Sequence, residues 1–278
     1  MNSKCIFFDV DGTILDIEKG VAKDVPSAIQ NLHHQGHMTF LCTGRSRAFI
    51  PKELEELHFT GMITNFGAYI EYGGCPVYQT EIRPKEARKI MEFLRERHMV
   101  PVMEGVSHIY YDLDEYTTKN DWYVDLMTEQ LGEKWRPITG NEDQLHICKI
   151  SAKRLYNSSP DFICWSLGHI FDAIRHYEDI AEKSIEFVMA GHSKGNAITV
   201  VCQSLEIPQE DTIAIADNRA DISMFESVHT KIAMGDAPDE LKEAADYVTE
   251  TMDNGGITQA LKHYGLIKER KRRFRKRQ

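Results

Sequence analysis

No two of the six cysteines are spaced as CxxC, and no apolar stretch approaches the roughly 18 residues that a membrane-spanning helix requires. The first absence argues against a thiol metal knuckle or a redox pair, the second against a helical membrane protein. Cys5, Cys42, Cys75, Cys148, Cys164 and Cys202 sit mostly in apolar runs, the pattern of reduced, buried thiols, and the chain is expected to be cytoplasmic. The residues MNSKCIFF that precede the first acidic run are too few for the charged segment and apolar core of a secretory leader. Internal repeats are absent. The one biased segment, KERKRRFRKRQ at 268–278, holds eight Lys/Arg and one Glu.

What is present is ordinary globular composition: 278 residues, 42% hydrophobic and 27% charged. That length allows one large domain or two modest ones, enough to bury a core without disulfide or metal staples. The net charge is −10, and setting the basic tail aside leaves −17 on residues 1–267. So acidic a body is a poor nucleic-acid binder. The tail itself has three readings: a solvated end, a contact with an acidic body, or attachment to nucleic acid or an anionic membrane.

Hydrophobic patterning divides the chain. Cys5–Phe8 is a short apolar strand running into Asp9-Val10-Asp11-Gly12-Thr13. A helix follows over Val25–Gln35, with Pro26 in its first turn and Gly36 at its end. A strand at Met38–Cys42 ends in Thr43-Gly44-Arg45. A helix over Ser46–His58 leads to a strand at Met62–Thr64. Continuous apolar strands alternating with helices indicate a parallel sheet covered on both faces. Residues 66–82 form a hairpin turning at Gly73-Gly74, and Pro84–His98 an amphipathic helix. Short strands and helices follow: His108–Asp112, a helical region at Glu115–Leu131, Leu145–Ser151, Pro160–Leu167, Phe171–His176 and Ser184–Met189. After Gly191 the buried pattern returns, with a helix from Lys194 capped by Ser193, strands at Thr212–Ala216, Lys231–Met234 and Tyr247–Thr249, and a helix at Ile257–Leu266. The expected fold is α/β, a parallel-sheet core at 1–82 and 187–267 split by an inserted α+β domain at 83–186.

Polar clusters fall at the ends of four core strands: Asp9/Asp11, Thr43, Asp217/Asp221 and Gly235/Asp236. Open α/β sheets bind ligands at the carboxyl ends of their strands. Asp9 and Asp11 are two apart in an extended segment, so both carboxylates can point the same way, and a hard cation such as Mg2+ relieves their repulsion. Lys194 at a helix start is a phosphate clamp, and Thr43-Gly44 offers a hydroxyl and N–H donors.

The ordered set resembles the haloacid dehalogenase superfamily. DVDGT (9–13) is similar to its nucleophile loop, LCTGR (41–45) to its second motif, GHSKGNAI (191–198) to its lysine motif and IADNRAD (215–221) to its acidic metal motif. A cap between the second and third motifs, and KIAMGDAPDELKEAADYVT (231–249), resemble the Cof-type sugar-phosphatase branch. The resemblance implies a Rossmann-like core and a phosphatase acting through an aspartyl-phosphate. Asp9 is then the nucleophile and Asp11 the general acid and base. Mg2+ is held by Asp9, the backbone carbonyl of Asp11, and Asp217, with Asp221 orienting a water bound to it. Thr43, Gly44 and Lys194 bind phosphate. Sugar phosphates, flavin mononucleotide and pyridoxal phosphate are all substrates of the implied kind. A phosphomutase would use the same intermediate, and a phospholigand-binding regulator could descend from such an enzyme.

Three positions depart from the family pattern. Ala216 and Ala220 replace a glycine and an asparagine of the acidic motif, and in Asn65-Phe66-Gly67-Ala68, where the branch has Asn-Gly-Ala, either Phe66 takes the asparagine's place or the asparagine has moved one position. Within the inserted segment, Asp172, Arg175 and His176 combine polar reach with a strand backbone and are candidate substrate contacts. Tyr110, Tyr111, Trp122 and Tyr123 are candidate cap core or rim. His33, His34 and His37 are expected to interact with a helix end rather than a metal.

Overall fold

The computed structural model describes residues 3–112, 122–155, 157–178 and 181–268. The expectations for 115–121 and for the tail from 269 onward lie outside the described residues. The chain forms two compact units: residues 3–41, 56–60 and 198–268 in the first, and 42–55 with 61–197 in the second.

The first unit is built on parallel strands in the order Tyr247–Val248, Thr230–Ala233, Thr212–Ala216, Cys5–Phe8, Met38–Cys42. Every residue of Cys5–Phe8 and of Thr212–Ala216 is buried, as expected for a sheet covered on both faces. Phe7 packs on Phe40 with ring centroids 5.4 Å apart, and Phe8 meets Phe59 edge-on. The helix Val25–His34 turns Val25, Ala28, Ile29 and Leu32 inward. Gly36 then takes φ +81°, a conformation open to glycine at no steric cost.

The second unit contains an antiparallel meander, Gly61–Thr64, Tyr69–Tyr72 and Cys75–Gln79. Its last strand is exposed at all five residues, and the pairing slips between Ile70 and Glu71. The same unit holds a six-stranded sheet in the order Trp135–Pro137, Ile109–Tyr111, Met99–Glu104, Lys149–Arg154, Ala181–Met189, Phe171–Glu178. Helices Pro84–Arg95 and Pro160–Leu167 cover one face, where Ala87, Leu94 and Ile163 pack with Met103, Ile150, Ile185 and Phe187. On the other face Val100, Val102 and Ile109 pack with Met127, Leu131, Trp135 and Ala48.

Among the described residues the structure differs from the sequence expectation in several elements, of which three are instructive. The helix expected over 46–58 is a 3-10 turn at Arg47–Phe49 and a short helix at Lys52–Glu55. Pro51 forces Ile50 out of the helical region, to φ −76° and ψ 120°. A strand at Met99–Glu104 was not foreseen. The strand expected at 145–151 is Lys149–Arg154, because Ile147 instead pairs with Ile82, whose N–H donates to the Ile147 carbonyl at 2.7 Å.

Candidate active site

In the first unit, Asp9 follows Cys5–Phe8 and Asp217 follows the neighbouring strand Thr212–Ala216, with Phe8 level with Ile215. The Asp9 N–H donates to the Ile215 carbonyl at 2.9 Å, so both acids leave the sheet at the carboxyl end of adjacent strands. Asp221 comes one short turn later, and one carboxylate oxygen each from Asp9, Asp217 and Asp221 lies within 4.8 Å of the others. Asp9 is 4% exposed and Asp221 is fully buried. Asp11 is exposed, two residues on from Asp9, and its carboxylate is not one of the three. Asp236 is likewise exposed and outside the cluster.

Local chemistry holds the acids in place. The N–H groups of Thr13, Ile14 and Leu15 all converge on the Val10 carbonyl, a tight turn that Gly12 enters at φ +81°. A Cβ at residue 12 would overlap the Asp217 carboxylate, so only glycine fits there. The Thr13 hydroxyl donates to Asp217 Oδ1 at 2.6 Å. Asn218 and Asp221 form a reciprocal cap: Asn218 Oδ1 accepts from Ala220 N–H at 3.3 Å, and Asp221 Oδ2 accepts from Asn218 N–H at 3.0 Å. Asp221 thus shapes the turn that carries Asp217 as well as adding a carboxylate. The role of Gly12 and Thr13 in setting Asp217 was not foreseen; the acid-glycine-threonine run after a strand was its only sequence signal.

The second unit carries the phosphate-type residues. Thr43 is 1% exposed; its N–H donates to Ile63, its carbonyl accepts from Phe66 N–H, and its hydroxyl accepts from Arg45 N–H at 3.1 Å. Phe66 lies against Gly44, where a Cβ would overlap the ring. Lys194, 5% exposed, opens the helix Lys194–Ser204, and its Nζ is 6.0 Å from the Phe66 ring centroid. Ser193 caps that helix, its hydroxyl accepting from Asn196 N–H at 3.0 Å. Thr43, Gly44 and Lys194 are therefore gathered around Phe66; the three acids belong to the first unit.

Strand alternation redirects one expectation. Arg175 pairs opposite Ile185 and so lies on the helix-covered face, where it forms an ion pair with Asp161 at 2.6 Å. Asp172 accepts from Gly191 N–H at 3.0 Å and fixes the loop before Lys194; the His176 side chain is outside the described residues. On the other face, Glu104 and Lys149 pair opposite one another. Lys149 Nζ lies 2.7 Å from Glu186 and 3.3 Å from Glu104, which also accepts from the Ser151 hydroxyl at 2.5 Å. Burial works against the Lys149 charge, and the two carboxylates outweigh it and hold its pKa above the usual lysine range. Tyr110 is buried with its hydroxyl donating to the Gln144 carbonyl, and Tyr111 stacks on Trp135; the side chains of Trp122 and Tyr123 are outside the described residues.

The histidines are hydrogen-bonding groups. His33 Nε2 meets the Thr39 hydroxyl at 2.8 Å, and His37 Nδ1 accepts from Lys4 N–H. Burial lowers the pKa of both, which opposes the charged form a helix-end contact would favour. No helix among the described residues is long and apolar enough to cross a membrane.

Oxygen donors alone, two of the three carboxylates buried, suit a hard divalent cation: acids this close repel unless a positive charge lies between them.

Comparison with known proteins agrees with this geometry. The chain matches the haloacid dehalogenase-like hydrolase family over residues 6–261. It is 30% identical to YkrA of Bacillus subtilis (strain 168), over 96% of this chain and all of that one. It is 26% identical to 5-amino-6-(5-phospho-D-ribitylamino)uracil phosphatase YwtE of the same organism, over 91% of this chain and 95% of the relative. Among solved structures, the HAD subclass IIB sugar phosphatase BT4131 superposes with a TM-score of 0.77 at 25% identity, over 95% of this chain and all of that one. The chain therefore belongs to the haloacid dehalogenase-like hydrolases, in the Cof-type branch, and is a phosphoric monoester hydrolase.

Proposed function

We propose that this chain is a Mg2+-dependent cytoplasmic phosphatase that hydrolyses a small phosphorylated sugar or polyol through an aspartyl-phosphate on Asp9. The observation that carries the reading is the convergence of Asp9, Asp217 and Asp221 at the carboxyl ends of parallel strands. The named substrate of YwtE carries a phosphorylated ribityl chain and BT4131 is a sugar phosphatase; both point to a polyhydroxylated leaving group.

In this mechanism an Asp9 carboxylate oxygen attacks phosphorus, and the ester P–O bond breaks. Asp11 gives its proton to the departing alkoxide. Asp11 then takes a proton from water as that water attacks phosphorus. The bond to Asp9 breaks, releasing inorganic phosphate and restoring the carboxylate. Mg2+ held by Asp9, Asp217 and the Asp11 carbonyl supplies charge neutralisation at the transferring oxygens. Thr43, Gly44 and Lys194 bind those oxygens, and Asp221 keeps the Asp217 turn in shape. The core is 1–82 with 187–267, and segment 83–186 selects the leaving group.

The test is a panel of phosphate esters assayed with Mg2+ and with excess chelator, followed by trapping of the phosphoryl-enzyme. Activity is expected only with the metal, Asp9→Asn abolishes it, and Asp11→Asn slows it by about 10²–10⁴-fold. Full activity in chelator, or a phosphoryl group trapped on any residue but Asp9, refutes the mechanism.

A further inference from the structure

Phe66 holds a backbone conformation that its side chain disfavours. Asn65, Phe66 and Gly67 are successive left-handed residues, with φ of 53°, 54° and 96°. Left-handed backbone suits glycine and asparagine; for a bulky aromatic it is an outlier that surrounding structure must enforce. The enforcement is visible on both sides. The Asn65 and Phe66 N–H groups donate to the Arg45 and Thr43 carbonyls. Gly67 presses so close to the start of the helix Lys194–Ser204 that a Cβ would come 2.7 Å from that of Ala197.

What the ring touches gives the strain a purpose. It packs against Gly44, where no side chain can stand, and the Lys194 ammonium lies over it, 6.0 Å from its centroid. Lys194 is 5% exposed, and the ring is one source of the stabilisation its charge needs inside the fold. A carboxylate at position 66 would supply it but would neutralise the charge that an incoming phosphate needs. The negative face of an aromatic ring attracts the ammonium without carrying a full charge.

We infer that Phe66 is a positioning residue for phosphate recognition: its ring holds the Lys194 ammonium and packs the Gly44 turn, tying the two phosphate-binding elements of this unit together. The inference rests on the proposed phosphate role of Lys194. It also explains why an aromatic stands within Asn65-Phe66-Gly67-Ala68, where the family resemblance places Asn-Gly-Ala.

The test is titration of the full chain with inorganic phosphate in saturating Mg2+, with thermal stability measured alongside. Phe66→Leu keeps an apolar wedge and the same backbone strain but loses the ring. Its phosphate Kd is expected to rise about twofold to thirtyfold, and KM for a small ester to rise with it more than kcat falls. Phe66→Tyr keeps the ring and should restore binding to within about twofold of the wild type. Incorporation of 3,4,5-trifluorophenylalanine at 66 nearly preserves shape while cancelling most of the ring's negative face, so it keeps the test valid if the leucine variant fails to fold; it should weaken phosphate binding with no loss of thermal stability. Lys194→Ala separates the two levels. If that variant binds phosphate like the wild type, the role of Lys194 is wrong. If it loses binding while the leucine and fluorinated proteins bind normally, Lys194 stands and the inference about Phe66 falls.

Discussion

Replacing Gly12 by alanine tests the site at its most crowded point. Two costs can be read from the structure. Alanine at φ +81° meets a steric penalty of about 1–2 kcal/mol. The new methyl also overlaps the Asp217 carboxylate, which must swing away and surrender the 2.6 Å bond from Thr13, worth about 1.5–3 kcal/mol for a charged acceptor. The sum, about 2.5–5 kcal/mol, should lower the melting temperature by on the order of 10 °C. The displaced carboxylate is also a proposed metal ligand. The wild type should gain about 2.7 kcal/mol of stability at a Mg2+ concentration 100 times its Kd, and the variant should lose most of that gain. Thr13→Val removes the hydrogen bond without the overlap and should fall between the two. The assay is calorimetric melting with and without Mg2+, beside turnover of a small phosphate ester. A Gly12→Ala protein that melts within 2 °C of the wild type by roughly the same Mg2+ response would refute the reasoning, because Asp217 would then have room the structure denies it.

Three further outcomes are expected. Lys149→Met leaves Glu104 and Glu186 facing each other without their ammonium and should destabilise the fold by about 3–5 kcal/mol in urea titration; a loss under 1 kcal/mol would show that the carboxylates find other partners. Folding lowers the pKa of His33 and His37 below the unfolded value near 6.5, so the unfolded chain binds more protons as pH drops through that value. Stability should thus be full above about pH 6.5 and decline below it, and His37→Asn should flatten the melting-temperature profile between about pH 7 and 5. Ala220→Asn places an amide on an exposed turn residue beside Asp221 and should raise kcat/KM or phosphate affinity by about tenfold, the value of one well-placed bond to a charged group; unchanged kinetics in a folded variant would show that position 220 has no part in the site.

The core strands were legible because a strand buried on both faces is an unbroken apolar run, and Cys5–Phe8 and Thr212–Ala216 each end abruptly in an acid. The segment after Arg45 was misread because its charged and apolar residues suit a helix, while one residue, Pro51, vetoes it. Met99–Glu104 was hidden by Pro101, which sits in the strand opposite Ala152, and by its start so soon after the helix Pro84–Arg95. Arg175 illustrates a limit of period-two reasoning: a strand can be placed correctly while its faces stay unassigned until its neighbours are known, and a shift of one residue exchanges them. At the site, the acids announced themselves by type and order. Phe66 announced a substitution but not its geometry, because nothing in a phenylalanine signals a left-handed backbone.

The exposed strand Cys75–Gln79 has a consequence for nascent chains emerging side by side from a polysome. An outermost strand displays a row of N–H and C=O groups on which another chain can template itself. Pro76 leaves a missing donor in that row, and the slip between Ile70 and Glu71 throws the remaining groups out of step. An arriving strand would find no continuous ladder along Cys75–Gln79, so neighbouring copies are denied a seam at this edge.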